Sequence, residues 1–215
     1  MGGTIRHSIL TMVAIFLIGL SIDAGATPIT FSDTGIGSGS LNGVNFSNSS
    51  FTITATDDTS NVVPFTNINH LGLTNNGYVV VNNSANIEIA GLGTYTFITE
   101  NGFWVNPAYQ GVGFSLISGT NQFLADLYDG PISSVFSSWD MQSSIGPVSG
   151  TANILSWTSI GPIQTSGGTI VLDQGSSPVT FTAEVDPAPV PEPTTIILLG
   201  AGLAVIGLVR RQKKV

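Results

Sequence analysis

The sequence predicts an all-β fold, an antiparallel β-sandwich of jelly-roll type, for the central part of the chain. Apolar residues alternate with threonine in S-F-T-I-T-A-T (Ser50–Thr56) and in T-F-T-A-E-V (Thr180–Val185). Period-two alternation with threonine at the polar positions is typical of strands that bury one face. Clusters rich in Gly, Asn and Pro separate such runs, and no convincing helical period competes with them. Short strands with regular turns favour a sandwich.

The predicted strands all lie within one segment, residues 27–188. This segment is long enough for a single domain with its own core. One segment, Gln122–Tyr128, is expected to form a single helical turn. The strand runs in chain order are Ile29–Phe31, Phe51–Ala55, Tyr78–Val81, Ile87–Ile89, Tyr95–Phe97, Phe103–Val105, Val112–Ile117, Ile170–Leu172 and Phe181–Val185.

Residues 1–26 have the organisation of a secretory signal peptide. Arg6 is the only charged side chain at the start, and Ser8–Ile22 is mostly apolar. Ala24 and Ala26 flank Gly25, as in the small-residue sites that signal peptidase cleaves. We therefore expect export and cleavage after Ala26. The alternative is an uncleaved N-terminal membrane anchor.

The charge distribution sets limits on the partners of the central domain. No Lys or Arg occurs between Arg6 and Arg210, and of the 13 acidic residues only Asp23 and Glu192 lie outside residues 27–189. A domain with eleven acidic and no basic residues repels nucleic acid and anionic lipid. It also has no Lys or Arg with which to form ion pairs, so apolar burial and hydrogen bonds must hold it together.

The residue types needed for catalysis are scarce. The chain has no cysteine, which excludes disulfides, thiol chemistry and Cys-based metal sites. His70 is the only histidine after the signal peptide, and no G-x-S-x-G motif accompanies it. We predict that the protein is not an enzyme. The alternative is a secreted hydrolase that uses His70 or a carboxylate pair.

Two short acidic segments are candidate Ca²⁺ sites. Asp57 and Asp58 precede Thr59, Ser60 and Asn61, and Asp126 and Asp129 lie in D-L-Y-D-G. Carboxylate, hydroxyl and amide oxygens are the ligands that Ca²⁺ takes in exported proteins. Neither segment matches the EF-hand pattern. The alternative interpretation of each is a solvated acidic turn, and no other cofactor is expected.

Aromatic residues offer a further possibility, which is carbohydrate binding. Rings of Trp and Tyr can stack on sugars, while they are equally common in the cores of β-sandwiches. Both interpretations therefore stay open for each ring. The candidate residues are Trp104, Trp139, Trp157, Tyr78, Tyr95, Tyr109 and Tyr128.

The segment 189–215 combines three features in a fixed order. Pro191, Glu192 and Pro193 form a triplet biased toward extended backbone. Residues 194–209 follow without a charge, and Arg210 and Arg211 begin a basic tail. As a helix, the uncharged run would extend about 24 Å, a short membrane span. The basic flank places the tail in the cytoplasm. The alternative is a buried core helix.

This order of triplet, short span and Arg-rich tail resembles the PEP-CTERM sorting signal of bacterial envelope proteins. The resemblance implies cleavage near Pro191–Pro193 by an integral-membrane exosortase. The protein would then be a transient single-pass membrane protein, delivered afterwards to the cell surface or to an extracellular matrix of exopolysaccharide. The central domain is similar to a recurrent ectodomain upstream of such tails, a type that brings no activity with it. A Ca²⁺-assisted carbohydrate-binding module is the alternative function.

Overall fold

The structure, a computed structural model, describes residues 27–68, 74–118, 122–155, 157 and 162–186. Within these ranges the chain forms a 13-stranded sheet and two short 3₁₀ turns, Thr59–Asn61 and Ser134–Ser138. The strands are β1 (Pro28–Leu41), β2 (Val44–Asp58), β3 (Val63–Ile68), β4 (Thr74–Val81), β5 (Ser84–Ile89), β6 (Gly93–Thr96), β7 (Asn101–Asn106), β8 (Gly111–Ser118), β9 (Gln122–Ile132), β10 (Ile145–Ile154), β11 (Ile163–Thr165), β12 (Gly168–Leu172) and β13 (Gly175–Val185).

Every strand pairing is antiparallel, and the order along the sheet is β3-β4-β7-β8-β9-β10-β13-β1-β2-β5-β6. Among the described strands, β1 has the most pairing partners. It pairs with β2 over most of its length, with β13 from Ile29 to Thr34, and with β12 from Gly39 to Leu41. One strand therefore connects three others. Apolar residues at alternate positions turn one face of β1 toward the core.

The strands β11 and β12 close one end of the sheet into a ring. β12 pairs with both β1 and β11, and Thr165 of β11 forms a bridge with Phe97, just after β6. The backbone N–H of Ile98 donates to Gln164 O at 2.8 Å, and that of Ser166 donates to Thr96 O at 2.8 Å. The β6 end of the sheet is thereby covered rather than left as an open edge.

The sheet curls so that its two halves pack over one core. Phe31 of β1 stacks on Phe103 of β7, with ring centroids 5.2 Å apart. Phe103 also contacts Phe114 at 5.1 Å and Phe181 at 6.1 Å. The contacts of Phe103 with Phe31 and Phe181 join strands that are distant in the sheet order, so burial of aromatic rings stabilises the curl.

The prediction of an antiparallel all-β domain is confirmed, whereas the two-sheet jelly-roll sandwich is not, since the strands form one continuous curled sheet. The predicted helical turn at Gln122–Tyr128 is wrong. Those residues belong to β9, because β8 provides a strand partner along this segment. Among the described residues, none lies in a helix long and apolar enough for a membrane span. The predicted signal peptide 1–26 and helix 194–209 lie outside the described ranges.

Truncation at the centre of the core should be costly. We expect Phe103→Ala to lower the free energy of unfolding by about 3–5 kcal/mol, because the change removes a buried ring and leaves a cavity. Equilibrium urea unfolding measures the loss. Ile98→Ala is the control, since Ile98 is 70% exposed and should change stability by about 0.5 kcal/mol or less. A loss below about 1 kcal/mol for Phe103→Ala would contradict this packing.

Candidate functional site

A chain of hydrogen bonds crosses β7, β8 and β9 and ends at a carboxylate. The indole Nε1–H of Trp104 donates to Ser115 Oγ at 2.8 Å, and the Ser115 hydroxyl donates to Asp126 Oδ1 at 2.6 Å. Gly113 lies under the Trp104 ring, where a Cβ would be 2.3 Å from Cζ2. Only glycine allows this close approach, so the sequence G-F-S around Phe114 positions the indole and the hydroxyl together.

Asp129 lies on the same strand as Asp126 and has an unusual environment. The hydroxyl of Tyr109 donates to Asp129 Oδ2 at 3.3 Å, while Oδ1 is buried without a partner among the described residues. Burial, followed by the negative charge of Asp126, raises the pKa of Asp129 to about 6, although the hydrogen bond from Tyr109 lowers it. Burial, followed by the charge of Asp129, likewise raises the pKa of Tyr109. A carboxyl group that titrates near neutrality is typical of binding and catalytic sites.

Tyr109 also provides an exposed ring next to this carboxylate. Its ring lies against Gly111, where a Cβ would be 2.6 Å from Tyr109 Cδ1, and the residue is 40% exposed. Ile132 pairs with Gly111 and is 51% exposed. A supported aromatic face beside carboxylate oxygens can stack on a sugar ring and accept hydrogen bonds from its hydroxyls. We refer to Tyr109, Asp126, Asp129 and Ile132 as the tyrosine site.

The other predicted acidic pair serves the fold. Asp57 is buried at the end of β2, and its Oδ1 accepts from the Asp58 N–H at 2.6 Å and from Asn61 Nδ2 at 2.7 Å. Its Oδ2 accepts from the Asn83 N–H at 2.8 Å. Asp58 Oδ1 accepts from the Ser60 N–H at 2.8 Å, which caps the first 3₁₀ turn. These carboxylates bind protein donors, and in the described part of the chain no three His, Cys, Asp or Glu residues cluster as metal ligands.

The remaining candidate residues are distributed as follows. Trp104, Trp139 and Trp157 are buried, as the core interpretation predicts, and Tyr109 is the most exposed of the aromatic candidates. His70 lies outside the described residues. So do the predicted processing residues Pro191, Glu192, Pro193, Arg210, Arg211, Ala24 and Ala26.

Sequence reasoning missed Asp33, a buried carboxyl group in β1. It is fully buried, and neither of its oxygens has a hydrogen-bond partner within the described residues. Burial raises its pKa well above the usual range. The hydroxyl of Tyr128 is also buried and has no hydrogen-bond partner within the described residues. Burial, followed by the negative charge of Asp33, raises the pKa of Tyr128. The sequence pattern could have revealed this burial, because Asp33 follows Ile29 and Phe31 at alternate positions of β1, on the inward face.

These raised pKa values predict that the domain loses stability as the pH rises. A carboxyl group with a raised folded-state pKa contributes its full stabilisation below its unfolded pKa of about 3.9. That contribution is lost as the pH rises through the folded pKa, which is about 6 for Asp129. We expect Asp33→Asn to raise Tm at pH 7, by about 2–4 °C for each kcal/mol of unfolding free energy that the substitution recovers. The substitution should also flatten the dependence of Tm on pH.

Calorimetric melts between pH 4 and pH 8 measure this effect. Asp173→Asn is the control, because Asp173 is exposed and its replacement should leave the dependence unchanged. Identical slopes of Tm against pH in Asp33→Asn and the unmodified protein would show that Asp33 does not titrate as its burial requires.

The comparisons with known proteins concern the C-terminal segment. A family model described as the PEP-CTERM protein-sorting motif matches residues 189–214, which include the Pro191–Pro193 triplet, the apolar run and the arginines. Among curated proteins and among solved structures, no significant match to the chain is found. The motif implies an exported protein that an exosortase sorts. The chain therefore carries a PEP-CTERM sorting motif, which follows a β-rich domain.

Proposed function

We propose that this protein is a structural or interaction protein of the cell surface or of an extracellular matrix that contains exopolysaccharide. The observation that carries the proposal is the sorting motif at residues 189–214, which begins just after β13 ends at Val185. Export would begin with the signal peptide, cleaved after Ala26. Residues 194–209 would span the membrane transiently, with Arg210 and Arg211 in the cytoplasm, until the exosortase cuts near the triplet.

The domain itself supports a role without catalysis. Asp57 and Asp58 accept hydrogen bonds that hold β2, the first 3₁₀ turn and the β4–β5 connection together. Asp126 completes the hydrogen-bond chain that begins at Trp104. These carboxylates organise the sheet. The surplus of acidic residues keeps the exported domain soluble and away from nucleic acid and anionic lipid.

The alternative function is a carbohydrate-binding module assisted by Ca²⁺, and the tyrosine site favours it. Tyr109 presents an exposed ring, and Asp129 Oδ1 has no hydrogen-bond partner within the described ranges. The two carboxylates of the site would attract a hard cation, and sugar hydroxyls could complete its coordination. In this function Tyr109 stacks on the sugar, while Asp126 and Asp129 hold the cation.

Mass spectrometry of the exported protein tests the main proposal. We expect the mature chain to begin at Thr27 and to end near Glu192, without residues 194–215. The double variant Pro191→Ala/Pro193→Ala should stay uncut, because alanine removes the bias toward extended backbone that exposes the peptide bond. Thr195→Ser, next to the triplet, is the control and should be processed normally. A mature chain that still ends at Val215 would refute sorting by cleavage.

Glycan binding with and without a chelator tests the alternative function. We expect Tyr109→Ala to weaken retention on immobilised polysaccharide about fivefold or more, since a stacking energy of about 1 kcal/mol or more is lost. Asp129→Asn should abolish any rise in Tm on addition of Ca²⁺. Ile98→Ala and Asp173→Asn are the matched controls at exposed positions. The alternative function would be eliminated if glycan retention and Tm changed neither on addition of the chelator nor in Tyr109→Ala.

A further inference from the structure

Six neighbouring strands present an outer face that is covered with hydroxyl groups. The strands are β10, β13, β1, β2, β5 and β6, in that order along the sheet. Their inward positions are filled by the core, as with Phe31, Ile53 and Phe181. The side chains between them point to the other face, because successive residues of a strand alternate. Threonine and serine occupy most of these outward positions.

The strand registers align the outward side chains into three rows that cross the sheet. The first row contains Ser149, Thr180, Thr34, Thr52, Glu88 and Thr94. The second contains Thr182, Ser32, Thr54, Asn86 and Thr96. The third contains Glu184, Thr30, Thr56 and Ser84. We call these three rows the hydroxyl face.

Neighbouring strands hold the hydroxyl groups in place. Thr34 Oγ1 and Thr52 Oγ1 are 3.2 Å apart, and Ser149 Oγ and Thr180 Oγ1 are 2.9 Å apart. Thr96 Oγ1 donates to Asn86 Oδ1 at 2.7 Å. Threonine is branched at Cβ, so its χ1 is restricted in a strand. The face is therefore a pre-ordered array, which lowers the entropy lost when a ligand binds.

The charge of the hydroxyl face, which is exposed, disfavours an anionic partner. Every side chain in the three rows is at least partly exposed. The rows contain two charged residues, Glu88 and Glu184, and no basic residue occurs anywhere between Arg6 and Arg210. An anionic ligand would meet repulsion without any compensating cation. A second copy of this acidic domain is disfavoured for the same reason.

The geometry fits a polymer that carries hydroxyl groups at regular intervals. Each hydroxyl is both a donor and an acceptor, so it can exchange hydrogen bonds with another hydroxyl in either direction. The rows place such groups about 4.8 Å apart between strands and about 6.8 Å apart along a strand. An extended neutral polysaccharide can therefore contact several rows or strands at once.

We infer that the hydroxyl face of β10, β13, β1, β2, β5 and β6 binds a neutral polysaccharide. The inference rests on the proposed function, because it names the matrix component that the sorted domain contacts. It is independent of the tyrosine site, since Tyr109 and Asp129 belong to the β7–β9 part of the sheet. Binding comes from many weak hydrogen bonds in register, so it increases with the length of the polymer.

Affinity electrophoresis of the mature exported protein tests this inference. The probes are dextran and hydroxyethyl cellulose, which are neutral, and alginate, which is anionic. We expect at least one neutral polymer to retard the protein and alginate to leave it unaffected. The triple variant Thr52→Val/Thr54→Val/Thr182→Val should bind about tenfold or more weakly, because three hydroxyl groups that bond the polymer are removed.

Three controls make the result specific. Thr52→Ser/Thr54→Ser/Thr182→Ser keeps the hydroxyls and should stay within about threefold of the unmodified affinity. Thr66→Val, on the exposed side of β3, should leave this binding unchanged. Melting curves verify that each variant is folded. The inference would be overturned if the neutral polymer retarded the valine variant as strongly as the unmodified protein. It would also be overturned if alginate retarded the unmodified protein as strongly as the neutral polymer does.

The same samples separate this inference from the proposed function. Mass spectrometry shows whether each variant is processed near Glu192. A correctly processed, unmodified protein that binds neither neutral polymer would overturn the polysaccharide inference alone. An unprocessed protein that still ends at Val215 would overturn the proposed sorting whatever it binds.

Discussion

The antiparallel ladder of β1 is the interaction on which the rest of the structure depends. This strand pairs with β2, β13 and β12, so it joins the two halves of the sheet and also closes the ring through β11 and β6. Its inward residues Phe31 and Asp33 face the core, and its outward residues Thr30, Ser32 and Thr34 lie in the rows of hydroxyls. Because side chains alternate, the ladder that builds the core also builds the outer face.

A second constraint comes from the charges. Carboxylates between residues 27 and 189 have no Lys or Arg within that segment to pair with, so the fold accommodates them in other ways. Asp57 accepts hydrogen bonds from backbone and amide donors. Burial raises the pKa of Asp33, which favours the neutral form. Asp129 lies between these cases, with a pKa near 6 and one unpartnered oxygen within the described residues. Stability therefore depends on pH through the raised pKa values of these buried carboxyl groups.

The sorting motif and the domain are compatible in their arrangement along the chain. β13 is hydrogen-bonded between β10 and β1 and ends at Val185, before the motif begins at residue 189. A cut near Pro191–Pro193 therefore removes no part of any described strand. The proposed surface protein would keep its ladder, its core and its hydroxyl face after processing. The motif accounts for the sorting of the protein.

The sequence by itself determined the strand character of the domain, the outward threonines and the sorting motif, because each of these depends on residues close together in the chain. Local alternation also placed Asp33 inward, although the influence of its charge on Tyr128 could not be foreseen. The curl of the sheet, the ring through Phe97 and Thr165, and the meeting of Tyr109 with Asp129 were decided by the tertiary structure alone. Many strands share the same alternation, so the sequence pattern does not select which of them pair. Gln122–Tyr128 illustrates the reason, since its pairing with β8 overrode the local preference for a turn.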